Sequence, residues 1–212
     1  MKLILASHNA KKLAELRSLL AGLPLDIVSQ SALGIAEVDE PFHSFVENAL
    51  AKARHAALAS GCAAIADDSG LCVAALRGAP GVISAHFGGE LPVQAGEARE
   101  ARRRRQDAAN NTALLARLQG QTDRRAHFIS TLVAVRHVDD PEPLVAVGRW
   151  SGVLLEAPRG EQGFGYDPLM FIPELDATVA ELDAESKNRH SHRARAATAL
   201  RAMLADAWHL AP

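Results

Sequence analysis

Cysteine is almost absent from this 212-residue chain, with Cys62 and Cys72 the only two. Two cannot build a disulfide framework, and their spacing does not suit a zinc site. Both lie in apolar runs and are expected to be small buried side chains in a reducing compartment. Aromatic residues make up only 4%, too few to stack the bases of a nucleic-acid single strand. Neither charge sign dominates, since 23 Lys and Arg against 25 Asp and Glu leave a formal charge of −2. Nucleic-acid binders need a cationic surplus to displace counterions from phosphates. Long hydrophobic runs are missing too. The opening segment MKLILASHNAKK holds too short an apolar stretch for a signal peptide or a membrane span. What is present, 48% hydrophobic residues without repeats or low-complexity linkers, is enough for a packed core. The expectation is a cytoplasmic enzyme or small-ligand binder with no nucleic-acid or membrane partner.

Periodicity predicts strands and helices in alternation. Residues 2–6 read as a buried strand and 10–20 as a helix with Leu13, Leu16 and Leu20 on one face, followed by a strand at 25–29. Ser44 with Glu47 three residues later predicts a capping box opening a second helix, which Gly61 stops. Residues 63–66 form a short apolar strand that runs into Asp67, Asp68, Ser69 and Gly70, where the glycine allows a sharp turn, and 71–76 continue as an extended segment. Residues 78–89 read as turns and 96–118 as one helix or two. Two β-rich runs, 128–136 and 144–150, flank VDDPEP and predict a hairpin, with a further strand at 153–156. The last helix spans 194–208. Together these elements predict an α/β protein with a mixed sheet and helices, a single domain of two lobes.

Four segments carry chemistry. In the first, Ser7, His8, Asn9, Ala10, Lys11 and Lys12 stand between a strand and a helix. Unpaired N–H groups and the helix dipole there favour an anion, and Lys12 can neutralise a phosphate. The alternative is Asn9 as a simple helix cap with solvent-facing lysines. The second pairs Asp67 with Asp68. Adjacent carboxylates repel unless a cation intervenes, and Mg²⁺ takes one or two carboxylates together with substrate phosphates. The acidic stretch Glu37, Asp39 and Glu40 offers another ligand. In the third, Phe164 and Tyr166 sit among Gly163, Gly165, Asp167 and Pro168 as an exposed pair suited to a planar base, or as an aromatic plug between lobes. The fourth, from Lys187 to His192 and Arg193, is rich in donors for phosphate or a base carbonyl, or is a charged helix start. The run Arg102, Arg103, Arg104 and Arg105 reads as a solvated helical face.

Taken in this order the motifs resemble those of the Ham1, or inosine triphosphatase, family, the bacterial dITP/XTP pyrophosphatases. The resemblance rests on the segment Ser7 to Lys12, IADDSG ending at Gly70, GAPGVISA beginning at Gly78, FGYDP ending at Pro168, and SHR at Ser191, His192 and Arg193. It implies two lobes around a central nucleotide-binding cleft and, for the family, a homodimer. It also implies Mg²⁺-dependent hydrolysis of ITP, dITP and XTP to the monophosphate and pyrophosphate. Asp68 then looks like the proton acceptor and a metal ligand. Glu40, or Asp39 if the loop aligns one residue earlier, looks like the second ligand. Nucleotide contacts fall on Ser7, His8, Asn9, Ala10, Lys11, Lys12, Ser69, Phe164, Gly165, Tyr166, Asp167, Lys187, His192 and Arg193. Base selection is expected from His192, Arg193 and the backbone N–H groups of the Phe164 loop. Two rivals stand beside this reading. One is a Maf-type pyrophosphatase, which lacks the FGYDP and SHR pair. The other is a nucleotide sensor without catalysis.

Overall fold

The structure, a computed structural model, describes residues 1–210, and of Lys11 the backbone alone. Seven strands share one sheet in the order β2-β1-β3-β4-β5-β6-β7. They are β1 (Lys2–Leu5), β2 (Asp26–Ser29), β3 (Ala63–Val73), β4 (Arg125–Val135), β5 (Leu144–Leu154), β6 (Met170–Ile172) and β7 (Ala177–Thr178). Among the described residues five α-helices accompany them: α1 (Ala10–Leu19), α2 (Phe45–Ser60), α3 (Arg99–Arg117), α4 (Ala184–His190) and α5 (His192–Ala207). The mixed α/β class expected from periodicity is what the chain adopts. None of the described helices is long and apolar enough to cross a membrane.

The chain divides into two compact units. The first takes Met1–Ser69, Ser130–Arg149 and the chain from His190 onward; the second takes Gly70–Ile129 and Trp150–Arg189. In the first unit, β1 pairs in parallel with β2 on one side and β3 on the other. Parallel crossovers are right-handed, so moving opposite ways from β1 puts α1 and α2 on opposite faces. The core divides accordingly. Leu3, Leu5, Ala63 and Ile65 pack with Leu16 and Leu20 of α1 and Leu200 and Leu204 of α5. Ile4, Ala64 and Ala66 pack with Ala49, Ala53, Ala56 and Ala57 of α2. Helix α2 opens at the predicted cap: the Ser44 hydroxyl accepts the Glu47 N–H, and Gly61 closes the helix in a left-handed conformation. The Glu47 carboxylate accepts from that same hydroxyl instead of making the reciprocal bond of a capping box. In the second unit Trp150, Tyr166, Leu169 and Met170 pack against Leu71, Val73, Leu114 and Leu118.

Several expectations give way. β3 does not turn at Gly70 but continues as one strand from Ala63 to Val73. The hairpin strands are longer than their apolar runs, and β5 absorbs the separate strand expected at 153–156. Residues 81–86 form 3₁₀ turns, and α4 was unforeseen. Cys62 and Cys72 form no disulfide and are half-buried rather than buried.

The β4–β5 turn is held by one buried side chain. Asp140 is fully buried and accepts the Arg136 N–H at 2.7 Å, the Glu142 N–H at 3.0 Å and both arms of the Arg136 guanidinium at 3.1 Å. Burial works to raise its carboxyl, yet these donors hold it down to about 2, against an ordinary 3.8. A depressed carboxylate stabilises the fold above its unfolded pKa, and that support fades as pH falls from about 4 toward 2. Asp140→Ala is therefore expected to cost about 2 kcal/mol at neutral pH, measured by urea denaturation. The gap between variant and parent should close as the medium is acidified toward pH 2, with no change in any activity at pH 7.

Candidate active site

Successive side chains on a strand point to opposite faces of the sheet. Because β3 runs straight through its acidic pair, Asp67 lies on the face of Ala63 and Ile65, toward α1 and α5. Asp68 lies on the face of Ala64 and Ala66, toward α2. This parity sends each carboxylate to its own cations, although the charge of Asp67 still acts on Asp68.

Asp67 is buried. Its Oδ2 lies 2.9 Å from Lys12 Nζ and 3.3 Å from Arg193 Nε, and its Oδ1 accepts from the Ser130 hydroxyl at 2.9 Å and from that of Ser69. Burial alone would raise the carboxyl, but Lys12, Arg193 and the Ser69 hydroxyl hold it well below the usual range. Arg193 also reaches Glu15 of α1 at 3.3 Å. Asp67 is an anchored anion.

Asp68 is equally buried, with a different balance. Its Oδ1 lies 3.2 Å from Lys52 Nζ of α2, while its Oδ2 is buried with no hydrogen-bond partner among the described residues. The same ammonium contacts Glu40 Oε2 at 2.5 Å. Burial raises the Asp68 carboxyl to about 6; Lys52 opposes the rise, and the charges of Glu40 and Asp67 add to it. Lys52 itself is raised, its own burial outweighed by Asp68 and Glu40. Of the two carboxylates considered at the loop, Glu40 is the one that converges with Asp68 on this ammonium.

The order β2-β1-β3 reverses direction at β1, and ligands of open α/β sheets bind beyond the strands' carboxyl ends at such a switch. Ser7 to Lys12 leave the end of β1 there. Asn9 caps α1, its Oδ1 accepting the Lys12 N–H at 3.3 Å, and Ser7 Oγ accepts the Asn9 N–H at 3.1 Å. Lys12 does not face water as the alternative had it; it is mostly buried against Asp67. Ala10 begins α1 and is exposed. The His8 ring meets the Ile35 carbonyl at 2.9 Å, and the Lys11 side chain lies outside what is described. His192 is buried in the first turn of α5, which Ser191 caps by accepting the Ala194 N–H at 3.2 Å.

In the second unit residues 163–167 make a tight turn. Asp167 Oδ2 accepts the Phe164 N–H at 2.8 Å and pairs with Lys187. A Cβ at Gly163 would strike that carboxylate, and its φ of +80° also favours glycine. Tyr166 does not offer an exposed ring: it is buried, and its hydroxyl donates to the Ser84 carbonyl at 2.8 Å. Phe164 is half-buried, with the Arg103 guanidinium 4.4 Å and the Lys187 ammonium 4.5 Å from its ring centre. Three of the four backbone donors expected to read a base, those of Phe164, Gly165 and Asp167, are engaged within the protein. Asp167 holds the Phe164 N–H, Asp107 the Gly165 N–H at 2.9 Å, and the Phe164 carbonyl the Asp167 N–H at 3.2 Å.

With both clusters described, comparison with known proteins is direct. The model of the Ham1 family matches residues 3–203. A protein of Leptothrix cholodnii called dITP/XTP pyrophosphatase is 65% identical over 212 residues, all of both chains. One of Methylibium petroleiphilum with the same name is 64% identical over 208 residues, 98% of this chain and 99% of the other. The chain belongs to the Ham1 family. Among solved structures, a HAM1 protein of Coxiella burnetii superposes with a TM-score of 0.87 at 38% identity, covering 96% of this chain and 98% of that one. The Staphylococcus aureus Ham1 protein reaches 0.82 at 35%, with the same coverage.

Sequence reasoning missed five participants in this Ham1 chain, one of them Ser130 of β4, which donates to Asp67. Lys52 lies mid-helix in α2, where a lysine usually faces solvent; its signal was a cation beside an alanine-rich buried face. Glu15 follows Lys12 by three residues on α1, the spacing of side chains on one helix face. Asp107 and Asn111 stand four apart on α3, downstream of the arginine run.

Proposed function

We propose that this Ham1 chain is a Mg²⁺-dependent nucleoside triphosphate pyrophosphatase. It hydrolyses ITP, dITP and XTP to the monophosphate and pyrophosphate and so cleanses the nucleotide pool. The observation that carries the reading is the split between the paired carboxylates. One is held anionic and inaccessible, while the other is buried with an unsatisfied oxygen and a carboxyl near 6. A group poised near neutrality can accept a proton at working pH. The names of the relatives at 64% and 65% identity support the substrate class.

The residues present fit a magnesium ion. Asp68 Oδ2 is a buried acceptor in want of a cation, and Glu40 and Asp68 already converge on one positive charge at Lys52. Among the described residues no three His, Cys, Asp or Glu side chains cluster as a metal cage. That suits Mg²⁺, which uses few carboxylates and keeps waters and phosphate oxygens. Asp68 and Glu40 would hold it, and when bound it supplies charge neutralisation to the phosphates and the departing pyrophosphate.

In this reading the Asp68 carboxylate takes the proton of the attacking water. Lys52 keeps Asp68 and Glu40 in place, and Lys12 offsets phosphate charge beside the N-terminus of α1. Positioning and electrostatics dominate phosphoryl transfer, so Ser69 serves as a donor, not a nucleophile. Phe164 provides the stacking surface, with Asp167 and Lys187 beside it. The setting is a cytoplasmic homodimer.

Products test the reading. A short time course with ITP and Mg²⁺, resolved by anion exchange, is expected to show IMP and pyrophosphate from the start. Early IDP, or unchanged turnover without Mg²⁺, would overturn it. Across a triphosphate panel kcat/KM should rank ITP and XTP well above GTP, and GTP at or above ATP. A site built around a 6-oxo group leaves a buried polar group unpaired when a 6-amino base enters.

A further inference from the structure

The arginine run opens a stripe on α3 that the reaction does not use. Arg102 and Arg105 turn toward the preceding segment, where Arg102 contacts Glu90 and the Leu91 carbonyl and Arg105 pairs with Glu97. Arg103 faces the Phe164 loop instead. With Asp107 and Asn111 it forms an i, i+4, i+8 series, one stripe of the helix surface.

All three side chains act on the same two residues. Asp107 Oδ2 accepts the Gly165 N–H at 2.9 Å, and Asn111 Nδ2 donates to the Gly165 carbonyl at 3.0 Å. The Arg103 guanidinium covers the ring of Phe164. Gly165 sits at φ +63°, and an unrestrained glycine would let this turn sample many shapes. Gripped at both its N–H and its carbonyl, it cannot, and Phe164 is bonded directly to it. The grip is maintained against opposing costs. Asp107 is a carboxylate whose ionisation burial resists. Asn111 leaves its Oδ1 buried without a hydrogen-bond partner among the described residues. A native fold tolerates such an orphan where the other end of the amide has a task.

We propose that Arg103, Asp107 and Asn111 are positioning residues for base recognition. They set the Phe164 ring at the place and angle at which the substrate's purine stacks. The proposal rests on reading the Phe164 loop as the base site. It implies that a ligand with phosphates but no base is indifferent to the stripe.

The test compares Asp107→Ala, Asn111→Ala and Phe164→Ala in the full-length protein. Its readouts are KM and kcat for ITP, competitive inhibition by inorganic triphosphate, and melting temperature. Asp107→Ala and Asn111→Ala are expected to raise KM for ITP roughly ten- to hundredfold, with kcat little changed and inhibition by triphosphate intact. Asp107→Asn keeps an acceptor for the Gly165 N–H and should recover most of the loss. If Asp107→Ala does not fold, Asn111→Ala at its half-buried position carries the same expectation. The proposal is overturned if both variants leave KM for ITP unchanged while Phe164→Ala raises it. It is equally overturned if triphosphate inhibition weakens in step with KM, since the stripe then merely supports the fold. Should Phe164→Ala itself leave KM unchanged, the loop is not the base site and the proposal falls with that reading.

Discussion

Asp68→Asn is expected to lower turnover of ITP on the order of 10³-fold or more while the protein folds as before. The substitution keeps the shape of the side chain and removes both its proton acceptance and its charge. It should also change the response of the metal-free protein to pH. Burial, reinforced by Glu40 and Asp67 against the pull of Lys52, lifts the Asp68 carboxyl to about 6 from an ordinary 3.8. Between about pH 4 and pH 6 the folded chain thus retains a proton that the unfolded chain has released. Stability from this group is therefore present at low pH and lost as pH rises through that window. The Asn variant has no such proton, so its melting temperature should fall less than the parent's from pH 4 to pH 8. Melting curves across that range, with ITP turnover measured alongside, decide the matter. Turnover within about tenfold of the parent would remove Asp68 from the chemistry.

Arg193→Ala is expected to act chiefly through the fold. Its guanidinium lies between Asp67 and Glu15, and its loss leaves Lys12 as the only cation within 4 Å of a buried carboxylate among the described residues. Removing one partner of a buried pair costs about 3 kcal/mol, which for a chain of this size lowers the melting temperature on the order of 10 °C. Because Asp67 anchors Lys12, ITP and ATP should be slowed together. A base-reading Arg193, as the family resemblance suggested, would instead cut ITP more than ATP and leave the melting point nearly unchanged. Paired kcat/KM values and a thermal scan separate the two.

The alternation of strands and helices was legible because it is local. Leu13, Leu16 and Leu20 mark the buried face of α1, and Ser44 with Glu47 announces α2. The seven residues of α4 carry no apolar period, so nothing in them signalled a helix. At Asp67–Gly70 local chemistry misled: two aspartates, a serine and a glycine resemble a turn. The strand persists because Lys12, Arg193 and Lys52 arrive from three different helices to neutralise it, which no window of sequence contains. Tyr166 misled in the same way. Its hydroxyl finds a carbonyl 82 residues earlier, and a phenol so satisfied goes inside. For the candidate site, Asp68 and Lys12 stood in recognisable motifs, while Glu40 came only from the family resemblance, with Asp39 as its alternative. Lys52, 16 residues before Asp68, and Asp107, 58 before Gly165, were not legible, since pairing across such distances is a property of topology.

The uninterrupted course of β3 constrains how this enzyme can change length over generations. Insertions in the bend at Gly61 and Cys62, or in the acidic loop before α2, leave the strand's alternation untouched. One extra residue between Ala63 and Asp67 would not. It would rotate each acid to the other side, presenting the anchored carboxylate's position to Lys52 and the reactive one to Lys12 and Arg193. A single insertion there is compatible with this site only where a β-bulge absorbs the extra residue and restores the alternation.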